Sequence, residues 1–570
     1  MAGVEKLITE HIDVWTSAIK KRNATGRGSN KKIELTGIKK LRELILELAV
    51  RGKLVPQDAS DEPASVLLEK IAEERSQLSE DKKIKKQKPL PVITDEAKPF
   101  ELPLGWEWAR LQTIIQISSG NGLTSTQMNK SGKVPVYGGN GVTGYHDTPN
   151  VNKRTLVIGR VGFYCGSVHL TPEKAWVTDN AFITTFAEKN IDIDYLSWLL
   201  KATNLNENDS ATAQPVISGR KLYPIVICLP PLAEQYRIVA KVDELMALCD
   251  QLEQQTEQSL TAQQTLVEVL LASLTSDIST DDDNKEEFQT SWQRIAEHFD
   301  VLFTTEASIE QLKQTILQLA VMGKLVPQNP NDEPASVLLE KIAEEKAQLI
   351  ADKKIKKQKP LPAITDEETP FELPTGWEWA KLGNALNKIT DGTHHSPING
   401  DSGEYLYISA KNIKNNGVQL SNATYITKEM HDEIYSRCDP EYGDILYIKD
   451  GATTGIVTIN DIDEPFSMLS SVALLKCPAG ILNRYLLLSL RSPFFYKEMR
   501  AGMSGVAITR VTLKKLNVAS FPLPPLAEQH RIVAKVDELM ALCEQLKARL
   551  ADAQTTQLHL ADAVVENALT

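Results

Sequence analysis

The chain has 570 residues, is 42% hydrophobic and carries a formal net charge of -12. That length accommodates about two to four domains, each with its own core. The acidic balance argues against a protein that coats nucleic acid unaided, because phosphate binding runs on Lys and Arg releasing counterions. No apolar run approaches the roughly 18 residues of a membrane helix, and the start, MAGVEKLITEHIDVW, lacks the basic, apolar and small-residue pattern of a signal peptide. A cytoplasmic protein with no membrane partner is expected. The six cysteines, Cys165, Cys228, Cys249, Cys438, Cys477 and Cys543, form no CxxC pair, which suits reduced thiols better than disulfides or zinc.

Taken in chain order, residues 1–104 read as a helical arm with a basic linker. ASVLLEKIAEERSQL (64–78) has amphipathic spacing, and KKIKKQK (82–88) follows it. A first insert at 105–228 opens on GWEWA and contains LVIGRVGFYCGSVHL (156–170), which predicts paired short strands around Gly turns. Residues 229–275 read as one long helix that Pro231 can open. Ile238, Leu245 and Leu252 fall seven apart, as do Val242 and Cys249, either a coiled-coil seam or one face of an ordinary amphipathic core helix. Residues 276–375 join an acidic linker, SDISTDDDNKEEF (276–288), to a second helical arm and a second basic linker. The second insert, 376–522, carries YGDILYIKDGATTGIVTI (442–459), again strand pairs around Gly turns. Finally, 523–570 repeats the long helix, with Ile532, Leu539, Leu546, Ala553 and Leu560 in one series and Val536, Cys543 and Leu550 in the other. Each helix, about 40 residues long, spans on the order of 60 Å if unbroken.

Two halves of the chain are copies. GKLVPQ at 52 recurs at 323, DEPASVLLEKIAEE at 61 recurs at 332, KKIKKQKPLP at 82 recurs at 353 and GWEWA at 105 recurs at 376, all at one offset of 271. LPPLAEQ recurs at an offset of 294, so the second insert is longer. A weaker echo, EHIDV at 10 and EHFDV at 297, extends the duplication toward the N-terminus. The frame is thus duplicated, whereas the inserts resist residue-by-residue alignment. They differ in charge from the whole chain: residues 109–228 hold 11 basic and 8 acidic side chains, and residues 380–522 hold 15 and 14.

Motifs for chemistry are weak. Gly139, Gly141 and Gly144 spell GxGxxG, but Pro149 and turn formers follow where a dinucleotide site needs a helix. GKLVPQ lacks the Ser or Thr of a phosphate loop, and the adjacent His394 and His395 cannot share a helical face as zinc-binding HExxH histidines do. No catalytic residue and no metal ligand is assigned. A large chain without a convincing active site is expected to be a reader or scaffold; an enzyme with an unrecognised methyltransferase or nuclease site is the rival reading.

Two inserts that each open with LPxGWEWAxL and close with LPPLAEQxRIV leading into a long helix resemble the specificity subunits of type I restriction-modification enzymes, in the subset with an extended N-terminal arm. The resemblance covers nearly the whole chain. It implies an α+β fold: two α/β target recognition domains separated by long antiparallel coiled-coil helices, with a pseudo-two-fold internal repeat. It implies a non-catalytic chain whose two inserts each read one half of a bipartite asymmetric site in double-stranded DNA. The repeated helices would set the spacer and dock two methyltransferase subunits, and two motor/restriction subunits would join them. No cofactor is bound by this chain; S-adenosylmethionine, Mg and ATP are implied through the partners. Because DNA presents the same face every 10 to 10.5 base pairs, roughly 34 Å, a stiff rod would act as a ruler between two readers.

Candidate DNA contacts in the first insert are Asn140, Lys153, Arg154, Arg160, Tyr164, His169 and Arg220. In the second they are His394, His395, Lys411, Asn412, Lys449, Thr453, Thr454 and Arg510. Arg spans guanine O6 and N7, Asn spans adenine N6 and N7, and Lys more often meets phosphate. Trp106 and Trp108, like Trp377 and Trp379, alternate around a Glu, which serves core packing or base stacking. The lysine runs either track phosphates or form solvated linkers. Glu234, Gln235 and Arg237, with Glu528, Gln529 and Arg531, are candidates for docking the methyltransferase or for capping the helix.

Overall fold

The computed structural model describes residues 2–21, 33–80, 88–162, 164–205, 216–275, 282–501 and 510–569. Positions 82–87 of the first lysine run and 276–281 of the acidic linker lie outside the described residues. The backbone divides into two compact units, one made of residues 1–259 with 552–570 and the other of residues 260–551. The long helices Leu232–Thr275 and Leu526–Leu569 are therefore shared. Each begins in one unit and ends in the other.

Inside the first unit, helix Thr36–Val50 ties both long helices together. Arg42 donates to Asp250 at 2.7 Å and Glu253 at 2.6 Å on the first long helix, while Lys40 pairs with Asp562 and Lys53 Nζ donates to the Leu569 carbonyl at 2.8 Å on the second. The second unit repeats the arrangement through helix Glu306–Val321. There Lys313 meets Glu544 at 2.8 Å and Glu306 meets Lys547 at 3.0 Å, whereas Gln263 bonds Thr304 at 2.7 Å and Glu268 accepts from Gln311 at 3.0 Å. One set of partners falls as the helix number rises and the other climbs with it. The two long-helix segments of this unit therefore run antiparallel.

The heptad pattern is buried over the first part of each helix. Ile238, Val242, Leu245, Cys249 and Leu252 are buried, as are Ile532, Val536 and Cys543. Beyond that the buried stripe turns by one position. Leu266 is 50% exposed beside buried Val267, and Leu560 is 44% exposed beside buried Ala561; Ala553 is exposed as well. A straight helix drifts about 20° per heptad, and the second stretch of each helix packs in a different unit against different partners. The single uninterrupted seam expected from the sequence is thus two shorter stripes.

The inserts, expected to be unlike, share one strand order. The first has a four-stranded sheet ordered Ile115–Ser119, Ala181–Phe186, Leu156–Gly159, Val168–Leu170, and the second one ordered Lys388–Asp391, Val472–Lys476, Ile445–Ile448, Val457–Ile459. Each also has a three-stranded sheet with one parallel pair, Val134–Gly138 with Trp176–Val177 and Tyr405–Ile408 with Phe466–Met468. The second insert adds a small hairpin, Ile413–Lys414 with Gly417–Val418, and the helices Lys428–Tyr435 and Pro493–Arg500. Each insert is closed at its base by a strand pair, Glu107–Arg110 with Val226–Leu229 and Glu378–Lys381 with Ser520–Leu523.

The GxGxxG glycines lie in the hairpin between Val134–Gly138 and Gly141–His146, with no helix after them, so they form no dinucleotide loop. The tryptophans serve packing. Trp106 and Trp377 are 5% exposed, and the half-buried Trp108 and Trp379 lie tilted at 5.0 Å from Phe100 and Phe371. None of the six cysteines forms a disulfide, and all but Cys477 are buried. Among the described residues no helix is long and apolar enough to cross a membrane, and no cluster of His, Cys, Asp or Glu could hold a metal ion.

Candidate nucleic-acid interface

Both inserts build one loop at the end of a central strand. LVIGRVGFYCGSVHL and ILYIKDGATTGIVTI align without a gap at an offset of 289, sharing Gly162 with Gly451, Gly166 with Gly455 and Val168 with Val457. The four glycines have φ of +92°, +102°, +87° and +101° in that order, a region that residues with a Cβ avoid. The backbone bonds also match. Cys165 N donates to Gly162 O at 2.9 Å and Thr454 N to Gly451 O at 3.2 Å, while Ser167 N reaches Tyr164 O and Ile456 N reaches Thr453 O, both at 3.1 Å. Ile217 N donates to Arg160 O at 2.9 Å and Val511 N to Lys449 O at 2.7 Å, bringing a later segment against each loop. This corrects the expectation that the inserts cannot be aligned: glycine geometry fixes the loop, and only three identical residues mark it.

In the first insert this loop gathers four of the seven candidates. Asn140 is exposed at the tip of the hairpin beside Gly139, whose carbonyl accepts from Ser167 Oγ at 2.6 Å. His169 Nε2 lies 3.1 Å from the same hydroxyl; burial, then the Lys201 charge, holds its pKa below the usual histidine range. Arg160 donates to Ser119 Oγ at 3.0 Å and the Asp179 carbonyl at 3.3 Å, and lies over the Phe182 ring at 5.5 Å. Tyr164 is 51% exposed. Arg220 stands exposed three residues past Ile217, close to the loop along the chain. Lys153 and Arg154 are not brought in. They lie at the opposite end of strand Leu156–Gly159, roughly 20 Å of extended chain from Arg160. Lys153 pairs there with Glu188, and Arg154 grips Asp194 through two bonds of 2.7 and 2.6 Å, which raises its pKa.

The second insert surrounds its loop with charge. Lys449, equivalent to Arg160, is 1% exposed, with Nζ 3.4 Å from Asp391 and 3.1 Å from Asp450. Asp391 also accepts from Arg437 at 2.7 Å and lies 3.4 Å from His394 Nε2. Arg510 Nε meets Asp450 at 3.3 Å. Three candidates turn inward. Lys449 is caged by its carboxylates; Asn412 caps a short turn through Ser409 N at 3.1 Å and donates to the Gln419 carbonyl at 3.0 Å; Thr454 donates to Gly451 O at 2.7 Å. Their chemistry is spent on shaping the surface, which is presented by exposed Lys411, His394, His395, Thr453 and Arg510. Sequence reasoning missed Ser119, Asp179, Asp391 and Arg437. Asp391 lies three residues before His394 in the stretch DGTHHSP (391–397); the other three carry no local signal.

Where each insert meets its long helix, the same side chains form the same bonds. Trp106 Nε1 donates to Glu234 and Trp377 Nε1 to Glu528, both at 3.0 Å; Gln57 and Gln328 donate to the other oxygens at 3.2 Å. Burial raises both carboxyl pKa values, against the lowering effect of these bonds. Gln235 accepts from Asp192 N and Gln529 from Leu482 N at 2.9 Å, and each donates to a proline carbonyl just before its helix at 3.2 Å. Arg237 pairs with Asp61 at 2.5 Å and Arg531 with Asp332 at 2.6 Å, with 35% of each arginine side chain exposed. Glu234, Gln235, Glu528 and Gln529 are at most 1% exposed, so they hold the junction from inside. Of the six docking candidates only the two arginines reach the surface.

The family model described as the type I restriction modification DNA specificity domain matches residues 103–262 and again 374–553, taking in both inserts and the starts of both long helices. The chain belongs to the type I restriction-modification specificity subunits. As a specificity subunit it is the non-catalytic component that gives such an enzyme its DNA specificity, and its inserts are target recognition domains. It is 42% identical to the type I restriction enzyme EcoAI specificity subunit of Escherichia coli and 41% identical to the EcoEI specificity subunit of the same organism, in both cases over 100% of each chain. A solved chain from a study of complex assembly and conformational transition in the type I R-M system covers 83% of this chain and 99% of its own length, at 18% identity and a TM-score of 0.48.

Proposed function

We propose that residues 105–228 and 376–522 each read one half of a bipartite, asymmetric DNA site, using the loop end of the central strand. The observation that carries this reading is one glycine-fixed loop presented twice with unlike exposed side chains, so that two equivalent surfaces meet different bases. The long-helix regions 229–275 and 523–570 set the spacer and dock two methyltransferase subunits, with Arg237 and Arg531 offering their half-buried guanidinium groups at equivalent places. The arms at 1–104 and 276–375 brace those helices. Two motor/restriction subunits complete the assembly. N6-adenine methylation with S-adenosylmethionine, and ATP- and Mg-dependent cleavage, then proceed in the partners.

Replacing residues 105–228 with the corresponding segment of a relative tests the reading. Methylation-sensitive sequencing should report a new first half-site, an unchanged second half-site and an unchanged spacer. A fully preserved site would end the proposal. The ruler is tested separately: four residues added after Leu252 lengthen the helix by about 6 Å, and the preferred gap should change while both half-sites persist.

A further inference from the structure

We propose that each target recognition domain reads through two outward side chains at matching positions, Tyr164 with Val216 in the first and Thr453 with Arg510 in the second. The proposal rests on the half-site reading above and assigns it to particular side chains. In both domains the first residue of each pair is the middle one of the three between the positive-φ glycines. Tyr164 is 51% exposed and Thr453 is exposed, while the next residues, Cys165 and Thr454, are 5% and 4% exposed. The loop therefore turns the same position outward twice. The second residue of each pair forms an antiparallel bridge to the loop, Val216 opposite Val161 and Arg510 opposite Asp450. Val216 is 38% exposed, and the Arg510 side chain is 61% exposed.

The chemistry of the two pairs differs where their backbones agree. Arg510 Nε lies 3.3 Å from Asp450, an ion pair that keeps a guanidinium beside the loop, the group that bonds guanine O6 and N7 together. Val216 offers only methyl groups, suited to the C5 methyl of thymine. Tyr164 and Thr453 each carry a hydroxyl, on a ring in one case and next to the backbone in the other, so they reach to different depths. Because main-chain bonds and glycines hold the loops, exchange at the outward positions leaves the framework in place. Val216 thereby joins the contact set although nothing in its sequence surroundings singles it out.

The test uses the full chain assembled with its methyltransferase partners, acting on a DNA library with randomised half-sites. Arg510→Val and Arg510→Gln should each lower the preference for guanine at one position of the second half-site by about ten- to hundred-fold, leaving the first half-site as it was. Val216→Arg should move one position of the first half-site toward guanine. Tyr164→Thr and Thr453→Tyr should each alter one neighbouring position in their own half-site. Unchanged preferences in all five variants, with replacement of residues 105–228 still changing the first half-site, would overturn this assignment and leave half-site reading intact. A variant that shifts both half-sites together would also overturn it. If the domain replacement changes nothing either, the half-site reading itself fails.

Discussion

The junctions and the loop ends are duplicated in different ways. At the junctions the side-chain bonds of Trp, Gln and Glu recur, down to matching distances of 3.0 Å from Trp to Glu and 3.2 Å from Gln to Glu. At the loop ends main-chain bonds recur, whereas Arg160 reaches Ser119 and its counterpart Lys449 lies between Asp391 and Asp450. The reason is energetic. Changing one member of a buried side-chain set leaves its partner unsatisfied, at about 1 to 3 kcal/mol. A loop held by glycines and backbone bonds tolerates any side chain that points outward.

The largest effect is expected where the second domain departs from the first. Asp391→Ala removes a buried carboxylate from between Lys449 and Arg437, and should lower unfolding free energy by about 3 kcal/mol, read from denaturant midpoints. No equivalent loss is expected at Ser119→Ala, since Arg160 keeps the Asp179 carbonyl and partial solvation. Next come the junctions. Trp106→Phe and Trp377→Phe should each cost about 1 to 3 kcal/mol, by nearly equal amounts, because each leaves one oxygen of a buried Glu without its indole donor. Clearly unequal losses would mean that the two junctions are alike in geometry alone.

A smaller effect depends on pH. Burial raises the Glu234 and Glu528 carboxyls above their ordinary value of 4.5, so the folded chain holds these protons more tightly than the unfolded chain. The stability they contribute is complete below that value and is lost as pH rises through the raised values. Glu234→Gln with Glu528→Gln should remove this dependence, and unfolding measured as pH rises from 4.5 should show the native chain losing ground to the variant. The smallest effect is expected at the ion pairs of the two arginines, whose side chains are 35% exposed. Arg237→Ala or Arg531→Ala leaves a poorly exposed carboxylate, Asp61 or Asp332, without its guanidinium and should cost about 1 kcal/mol, while weakening methyltransferase assembly in a pull-down.

Much of the frame was legible because repetition and periodicity are written along the chain. GKLVPQ, GWEWA and LPPLAEQ mark three segments that meet at each junction, where Gln57 and Trp106 both donate to Glu234. Their joint recurrence was the signal, although it pointed to a partner surface before it pointed inward. The loop alignment was hidden because Leu, Val, Ile, Gly and Arg at 156–160 correspond to Ile, Leu, Tyr, Ile and Lys at 445–449, the first four of each buried but none of the five identical. Residue type alone singles out Lys449, Asn412 and Thr454, and type does not say which way a loop turns. Arg437 was invisible for the opposite reason: it meets Asp391 only when a helix end is folded against a distant strand.

The shared long helices carry a consequence for synthesis. The first unit includes residues 552–570, so Lys40 and Lys53 wait for partners on Asp562 and Leu569 that leave the ribosome only after the whole second unit. Translation order and folding order therefore disagree, and the nascent first unit must keep one wall open until the second has been made.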